Sequence, residues 1–430
     1  MALIKPFAAL RPSPRLAEKI CELPYDVMSS EEARALAADN PFSFLHVSKP
    51  EIDLAPGVDA HDAQVYAKGR ENFDRLIHQG ALREDPRPCF YFYRQIMGVH
   101  SQTGLVAAAS CEDYLQGVIK KHELTHPDKE DDRVRHIEAL GSQTGPVFLV
   151  YRANKVMDEL TAEQTAQAPD IDFTASDGVR HSSWRLCDEE HIDLVRRTVA
   201  GVPSLYIADG HHRAAAAARV YQARHGAGES AFFLSVIFPD NQLQILPYNR
   251  VLKDLNGLSA AELLKKLELV FTQPQDRLQE LRESVLFIEN GARIPALGKP
   301  VGARAFPHAK HEIGLLLENK WRKLLFRPEL CAVENPLEGL DVTLLQKHVL
   351  APVFGIDNPR TSQRIEFIGG IRGTDELEKR VNSGEFACAF SMFPTNMEDL
   401  MRIADAGGMM PPKSTWFEPK LRDGMFCHLI

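Results

Sequence analysis

Several features that would place a protein outside the cytosol, or tie it to a structural metal, are missing from this 430-residue sequence. It has no stretch approaching the ~18 consecutive apolar residues of a transmembrane helix. Its seven cysteines are an odd number and include no Cys-x-x-Cys pair, which argues against a secreted disulfide framework and against a zinc ribbon. Lys5 and Pro6 interrupt the apolar N-terminus, which lacks the form of a signal peptide. We therefore expect a protein of the reducing cytosol with no attachment to a membrane.

Basic residues are in the minority, because 50 Lys and Arg face 59 Asp and Glu and leave a net charge of −9 with His neutral. This balance argues against a protein that coats nucleic acid or an anionic membrane, but it permits a small basic pocket for an anion. Hydrophobic residues make up 44% of the chain and charged residues 25%, enough to bury a real core. At roughly 100–200 residues per domain, the length predicts two or three domains, or one large α/β body. The sequence leaves the oligomeric state open, a homo-oligomer included.

Helix and strand patterns alternate along the chain and predict an α/β fold of the mixed α+β type. Two pairs of β-rich segments, 89–97 with 105–111 and 232–238 with 242–249, have the pattern of hairpins, the first with Gly98 and Gly104 in its turn. The pattern restarts after the second pair, and we place a boundary there between domains 1–255 and 256–430. The other predicted helices lie at 30–39, 59–79, 111–140, 189–200, 212–226, 259–270, 340–350, 374–383 and 396–405. The other predicted strands lie at 146–151, 204–208, 285–288, 312–318, 365–368 and 386–391.

The most informative segment is Asp209-Gly210-His211-His212-Arg213, between a short apolar strand and an Ala-rich helix. A helix N-terminus presents free backbone N–H groups and the positive end of its dipole, and is a ready anion site. Gly210 permits close approach of the backbone, and the histidines and arginine add donors suited to phosphate. Asp209 could orient a hydroxyl, bind Mg²⁺ or accept a proton. The alternative is a capped surface helix, but five polar residues between two apolar elements favour the anion site.

A rival motif is His122-Glu123-Leu124-Thr125-His126, which matches the HExxH pattern of zinc metalloproteases. That chemistry needs both histidines on one face of a helix and a third ligand. Pro127 follows at once and disfavours helical backbone at His126, so a zinc hydrolase is the weaker interpretation. In the preferred interpretation this region serves a phosphoryl donor, with Lys121, His122 and Arg133 near its phosphates and Glu123 or Asp132 near Mg²⁺. An exposed charged helix is the structural alternative.

A loop rich in proline near the C-terminus, residues 411–422, is a second candidate for holding a polyanion. We call it the Pro-rich loop. Prolines lower the entropy lost when such a loop is ordered, so Lys413 and Lys420 could clamp pyrophosphate while Ser414 and Thr415 donate hydrogen bonds. The structural alternative is a solvated basic tail, against which Trp416 and its aromatic neighbour argue.

Two smaller segments are candidates for the acceptor side of a reaction. Tyr25 and Asp26 precede a predicted helix, and the carboxylate of Asp26 could act as a general base or a metal ligand. Asn249 and Arg250, after Tyr248, suit a carboxylate or a phosphate. Ordinary turns would explain both segments equally well.

The strand–Asp-Gly-His-His-Arg–helix segment resembles the phosphate-handling motif of the ParB/sulfiredoxin-like superfamily, in which a Gly-x-x-Arg core binds nucleotide phosphates. Gly210 and Arg213 occupy those two positions, and free serine kinases of that superfamily carry a closely similar turn. The wider match, over residues 3–427, resembles the bacterial domain-of-unknown-function 1015 family, some members of which are serine kinases that use pyrophosphate. It rests on the turn together with Leu23–Val27, Lys121–Glu123, Lys129–Arg133, Tyr248–Arg250 and Met410–Thr415.

The resemblance implies a ParB/sulfiredoxin-like phosphate-binding core with a second α/β subdomain. It also implies phosphoryl transfer from pyrophosphate, or from a nucleotide, to the hydroxyl of a free amino acid, with L-serine the leading acceptor. Mg²⁺ is expected, because such transfers depend on positioning and charge neutralisation. Asp209 or Asp26 would accept the hydroxyl proton beside His211. A nucleotide-dependent DNA-binding protein like ParB and the zinc hydrolase are the two alternatives.

Overall fold

The computed structural model describes residues 2–272 and 307–430. They form two compact units, one made of residues 2–244 together with Pro419–Ile430, and the other made of Ile245–Glu418. No helix in these ranges combines the length and the apolar character that crossing a bilayer requires. The predicted strand at 285–288 lies outside the described residues, and the predicted domain boundary at residue 255 stays a prediction.

The strands are numbered in chain order over both units. They are β1 (Ile4–Lys5), β2 (Leu10–Pro12), β3 (Leu82–Glu84), β4 (Phe90–Met97), β5 (His100–Ser110), β6 (Ile119–Lys120), β7 (Ser142–Gln143), β8 (Val147–Tyr151), β9 (Ile171–Thr174), β10 (Arg180–Leu186), β11 (Leu205–Asp209), β12 (Phe232–Pro239), β13 (Gln244–Leu246), β14 (Tyr248–Leu252), β15 (Phe271–Thr272), β16 (Glu312–Leu317), β17 (Lys320–Phe326), β18 (Ile365–Gly369), β19 (Cys388–Met392), β20 (Trp416–Glu418) and β21 (His428–Leu429).

The helices are numbered in the same way. They are α1 (Ala17–Ile20), α2 (Ser30–Ala37), α3 (Leu45–Ser48), α4 (Ala63–His78), α5 (Cys111–Leu115), α6 (Pro127–Leu140), α7 (Lys155–Thr165), α8 (Glu189–Ala200), α9 (His211–Ala223), α10 (Ala260–Leu267), α11 (Pro328–Cys331), α12 (Asp341–Leu345), α13 (Gly373–Asn382) and α14 (Met397–Asp405).

A mixed sheet of nine strands, counted over the described residues, is the centre of the first unit. Its order is β6-β11-β8-β12-β5-β4-β10-β9, with β1 beside β5. The pairs β6–β11 and β8–β12 are parallel and the others antiparallel. The predicted hairpin of β4 and β5 is confirmed, with Gly98 at φ +59° in its turn. Gly104 lies inside β5 instead of the turn, where a Cβ would come within 2.7 Å of Val236.

The second predicted hairpin is wrong. β12 pairs with β5 and β8, so the segment that follows it is not its partner. The apolar alternation of both segments is real, but a local pattern cannot show which strand a buried strand pairs with.

Local signals set the helix ends. Ser29 and Glu32 form a reciprocal capping box at the start of α2, and Gly80 follows α4 in the left-handed region at φ +67°. The single helix predicted over 111–140 is wrong, because the chain forms α5, β6 and α6 there. Gly117, at φ +77°, lies just beyond α5, and Pro127 occupies the first position of α6.

The Ala-rich helix α9 is buried on two sides, which explains its composition. Ala214 and Ala217 belong to the core formed with the large sheet, whereas Ala216 and Val220 pack with Ile137 of α6. Small side chains let a helix approach both a sheet and a second helix closely. The start of α9 is therefore held rigidly at the end of β11.

The structure joins Cys89 and Cys187 in a disulfide and leaves the other five cysteines free. The pairing follows from the sheet, because the antiparallel register of β4 and β10 sets Phe90 opposite Leu186, and the two cysteines come next in that register. Sequence spacing alone gave no indication of this bond.

The second unit contains an antiparallel sheet whose described strands are ordered β15-β17-β16-β19-β14-β18. Its core includes Val251, Leu316, Ile368, Phe386 and Ala389, which pack with Leu377 of α13. The two sheets and their helices together make a mixed α/β protein, as the alternation of patterns predicted.

Candidate phosphate-binding site

The turn between β11 and α9 is built around Gly210. This residue adopts φ +91°, which favours glycine, and a Cβ there would come within 3.1 Å of the Nε atom of Arg213. The N–H of Gly210 donates to Oδ1 of Asp209 over 2.8 Å. Gly210 itself offers no side chain to cap the helix, so the first N–H groups of α9 face the turn without a side-chain cap at that position.

Asp209 contacts two cations, Arg213 from the first turn of α9 and Lys420 from the distant C-terminal segment. Nζ of Lys420 donates to Oδ2 of Asp209 over 3.0 Å, and Nη2 of Arg213 lies 3.9 Å from Oδ1. Burial alone would raise the pKa of Asp209, but the charges of Lys420 and Arg213 and the N–H of Gly210 outweigh it and hold the pKa well below its usual range. The sequence predicted both cations as phosphate ligands, and the structure brings Lys420 and Arg213 together at Asp209.

Arg213 is the most heavily surrounded cation of this site, and only 8% of its surface is exposed. Nη1 donates to the carbonyl of Pro146, whereas Nε is buried with no partner. Burial opposes the charge, but the nearby Asp26, Asp209 and Asp423 outweigh it and raise the pKa of Arg213 above its usual value. Arg213 therefore stays charged at every accessible pH.

Asp423 is a member of this site that sequence reasoning missed. Its backbone pairs with Glu22, and its carboxyl group is almost fully buried beside Arg213. The signal was present in the sequence as an acidic residue three positions after Lys420, in a segment otherwise read as basic.

Two pairs of histidines connect the turn to residues 121–126. The N–H of His122 donates to Nε2 of His211 over 3.5 Å, and the N–H of His126 donates to Nε2 of His212 over 3.1 Å. Burial lowers the pKa of His122 and of His212 to about 4, and burial with the neighbouring His122 holds that of His211 well below its usual value. These three histidines are neutral at pH 7, so they offer a phosphate hydrogen bonds but no charge.

The remaining predicted residues of the first unit include Tyr25, Asp26, Lys121 and Arg133. Cζ of Arg133 lies 3.8 Å from the ring centre of Tyr25, and Nζ of Lys121 lies 5.1 Å from that of Tyr114. Asp26 follows Tyr25 in a single 3₁₀ turn and is exposed.

Two carboxylates were predicted as Mg²⁺ ligands. Glu123 lies 3.8 Å from Nδ1 of His211. Both oxygens of Asp132 accept hydrogen bonds, Oδ1 from Tyr66 over 2.8 Å and Oδ2 from Arg133 over 2.8 Å. These contacts make Asp132 the partner that orients Arg133, and its role as a Mg²⁺ ligand stays a prediction.

The geometry that a zinc metalloprotease needs is missing at residues 122–126. Helix α6 begins only at Pro127, so the two histidines do not share a helical face, and His122 and His126 instead contact different residues of α9. Over residues 2–272 and 307–430, no group of three His, Cys, Asp or Glu side chains is arranged to hold a metal ion.

The other predicted ligands belong to the second unit. Arg250 is buried there, donates to the carbonyls of Tyr248 and Lys413, and has its pKa lowered to about 10 by that burial. Oδ1 of Asn249 accepts from the N–H of Met392, which indicates a structural role.

Two predicted donors of the Pro-rich loop are also engaged within the second unit. Nζ of Lys413 lies 3.4 Å from the hydroxyl of Tyr248, and Ser414 donates to the carbonyl of Pro411 over 2.7 Å. Whether Lys413, Ser414, Thr415 and Arg250 contact a substrate stays a prediction.

Fold and turn together define a mixed α/β protein with cationic side chains grouped at the N-terminus of a buried helix. Residues 4–343 match the family described as "Protein of unknown function (DUF1015)", and the chain belongs to this family, as the motifs indicated. A comparison with curated protein sequences finds no match.

Three solved structures are similar to this chain at low identity. Free serine kinase in complex with AMP is 15% identical over 73% of this chain and 86% of that one, with a TM-score of 0.33. A mutant of free serine kinase in complex with ADP is 16% identical over 73% and 87%, with a TM-score of 0.32. SbnI with a C-terminal truncation, from Staphylococcus aureus, is 10% identical over 74% and 85%, with a TM-score of 0.36.

Proposed function

We propose that this protein is a small-molecule kinase that transfers a phosphoryl group from pyrophosphate, or from a nucleotide, to the hydroxyl of a free amino acid, with L-serine the first acceptor to test. The observation that carries the proposal is Arg213, a buried guanidinium at the start of α9 whose Nε has no partner and whose neighbour Lys420 shares the carboxylate of Asp209. Buried cations beside uncapped backbone N–H groups suit a phosphate. The ParB/sulfiredoxin-like assignment of this core is part of the same proposal.

Charge neutralisation is what this arrangement can supply. A transferring phosphoryl group spreads negative charge over its oxygens, and preorganised cations stabilise that charge in the transition state. Arg213 is fixed by its bond to the carbonyl of Pro146, and Lys420 by Asp209, so neither needs to reorganise when the charge develops. The neutral His211 and His212 are suited to orienting phosphate oxygens through hydrogen bonds.

Asp26 is the better of the two predicted proton acceptors. The carboxylate of Asp209 is held by Gly210, Lys420 and Arg213, and its lowered pKa makes it a weak base. Asp26 is exposed and lies near enough to raise the pKa of Arg213, so an acceptor hydroxyl and a phosphate held by Arg213 could both reach it. We therefore assign proton acceptance to Asp26 and positioning of the cations to Asp209.

Mg²⁺ fits this proposal as an ion bound with the donor. Such an ion is usually held by one or two carboxylates together with substrate phosphates and does not require three protein ligands. Glu123 is the carboxylate that could hold it, since Asp26 is assigned to the acceptor proton, and the role of the ion would be to neutralise charge on the donor phosphates.

The direct test is to incubate the purified protein with L-serine, Mg²⁺ and either pyrophosphate, ATP or ADP, and to measure phosphoserine by mass spectrometry. We expect phosphoserine with at least one donor and its loss in Arg213→Ala. Absence of phosphoserine with every donor, or full activity in Arg213→Ala, would contradict the proposal. A salt-titrated DNA-binding assay on the same sample tests the ParB-like alternative.

A further inference from the structure

A small cavity of about 30 Å³ lies beside Arg213 in the first unit. A cavity of this volume has room for one or two water molecules. Its polar lining comes from five separate segments of the chain, and includes Tyr25, Arg133, Thr144, Arg213 and Asp423.

Two side chains that line this cavity each have a buried polar atom without a hydrogen-bond partner. Oδ1 of Asp423 and Nε of Arg213 are both inaccessible and make no hydrogen bond to the protein. A Cβ on Gly145 would lie 2.8 Å from Oδ1 of Asp423 and 3.4 Å from Cδ of Arg213, so glycine is required for the approach of the two side chains. A buried acceptor and a buried donor left unpaired are costly unless water or a proton satisfies them.

The surroundings of Asp423 make its charge depend on Arg213. Burial raises the pKa of Asp423 to about 7, while Arg213 and Arg133 favour its charged form and Asp26 opposes it. The other titratable groups of the cavity are His136, whose pKa burial lowers to about 4, and Tyr25, whose pKa burial raises. Asp423 is therefore the group of this cavity whose charge is most easily changed near neutral pH.

We propose that Asp423 and an anion bound at the turn share Arg213 as their counter-charge, so that filling the site makes Asp423 take up a proton. With the site empty, the carboxylate of Asp423 compensates the buried guanidinium. A bound anion draws on the same positive charge, and two anionic groups around one arginine are unfavourable, so the carboxyl group of Asp423 takes up a proton, becomes neutral and can donate a hydrogen bond into the cavity. The inference rests on the proposed anion site at Arg213 but not on the identity of the acceptor.

The consequence is a measurable link between anion affinity and pH. As pH rises through about 7, Asp423 is ionised more fully and competes better for Arg213, so the affinity for an anion falls. Couplings between sites of this kind are typically about 5- to 100-fold, and we expect roughly a tenfold loss of affinity between pH 6 and pH 8.5. The buried histidines of the site titrate well below this interval and contribute little to the loss.

Sulfate is the appropriate probe, because it does not change its own charge in this interval. Calorimetric titration of the full-length protein with sulfate, in two buffers of different ionisation enthalpy, gives both the affinity and the number of protons taken up. The wild type should bind sulfate with proton uptake at pH 7.5. Asp423→Asn, which has nearly the shape of the protonated side chain, should bind with little uptake and nearly constant affinity. The matched control is Asp193→Asn, which changes an exposed carboxylate of α8 and should behave as the wild type.

Proton uptake is measured on the wild type itself. The inference can therefore be tested even if Asp423→Asn folds poorly. Sulfate binding without proton uptake, or unchanged uptake in Asp423→Asn, would overturn the role of Asp423 while leaving the kinase proposal intact. No sulfate binding at any pH would overturn this inference, and the phosphoserine assay then decides separately whether the proposed function falls with it.

Discussion

At the scale of single residues, Arg213 is surrounded by more acidic groups than one cation needs. Asp209, Asp26 and Asp423 all stabilise its charge, and Lys420 shares Asp209 with it. An arginine needed only for folding would be satisfied by one carboxylate in a bidentate pair. Here its Nε is unpaired and its Nη1 donates to a carbonyl, so no contact within the described residues places the guanidinium in a bidentate pair with a carboxylate.

Arg213→Ala is expected to lower the turnover number for phosphoserine formation by about 10²- to 10³-fold, the usual loss when one preorganised donor to a transition state is removed. The measurement is steady-state kinetics with the donor that gives activity. Arg219→Ala is the control, because Arg219 is on the same helix but pairs with Asp131 and Glu130 at the surface, where an ion pair contributes at most about 1 kcal/mol. Equal losses in the two variants would show that damage to α9, and not a missing phosphate contact, causes the effect.

Asp26→Asn and Asp209→Asn should separate proton transfer from positioning. We expect Asp26→Asn to lower the turnover number by about 10²- to 10⁴-fold with little change in donor KM or melting temperature, as for loss of a general base. Asp209→Asn should instead raise donor KM and lower the melting temperature, because Lys420 loses the carboxylate that holds it. The same kinetics with thermal unfolding measure both. A turnover loss confined to Asp209→Asn would reverse the assignment of the base.

At the scale of elements, the sequence predicts the strands, turns and helices that depend on adjacent residues. It does not predict which distant segments pack against each other. The strand β11, the turn at Gly210 and the helix α9 follow from an apolar run, a glycine and an Ala-rich segment adjacent in the sequence. The placement of residues 121–126 against α9 is not local. His122 and His211 are 89 residues apart, and only the parallel pairing of β6 with β11 brings their segments together. The charged segment was therefore assigned to one long helix that the structure divides.

This contact predicts that the chain loses stability in mild acid. His122 has a pKa of about 4 in the folded chain because it is buried, against 6.5 for an ordinary histidine. As pH falls below 6.5, the unfolded chain takes up the proton first, so the stability from neutral His122 is complete above pH 7 and is lost as pH falls toward 4. The loss should be about 3 kcal/mol.

Urea unfolding at pH 7 and pH 4.5 measures this loss. His122→Gln should be less stable than the wild type at pH 7 but should lose less stability between the two pH values. His78→Gln, at an exposed position of α4, should keep the wild-type difference. A difference in His122→Gln as large as that of the wild type would show that other groups cause the acid sensitivity.

At the scale of the whole molecule, the last twelve residues belong to the first unit, although in the sequence they follow the residues of the second. The strand β21 pairs with β7, and Asp423 pairs with Glu22. Lys420 and Arg422 reach Asp209 and the buried His181. No sequence pattern could show this return, because it joins residues some 200 or more positions apart. The sequence predicts the Pro-rich loop as a single binding segment, whereas Lys413 belongs to the second unit and Lys420 to the first.

Removal of Pro419–Ile430 should therefore unfold the first unit, although it deletes only a terminal segment. The truncated chain would expose the cavity lined by Arg213, lose the buried Met425 and Phe426 from its core, and leave Asp209 without Lys420. Removal of two fully buried large side chains alone typically costs on the order of 4–10 kcal/mol, comparable with the whole stability of a domain. We expect loss of the cooperative melting transition and rapid proteolysis of the first 244 residues.

A synthetic peptide of residues 419–430, added in trans, should restore protection, whereas the same peptide with Phe426→Ala should restore much less. A truncated chain that melts as the wild type does would show that the first unit folds without this segment, and that the segment serves only the chemistry of the site.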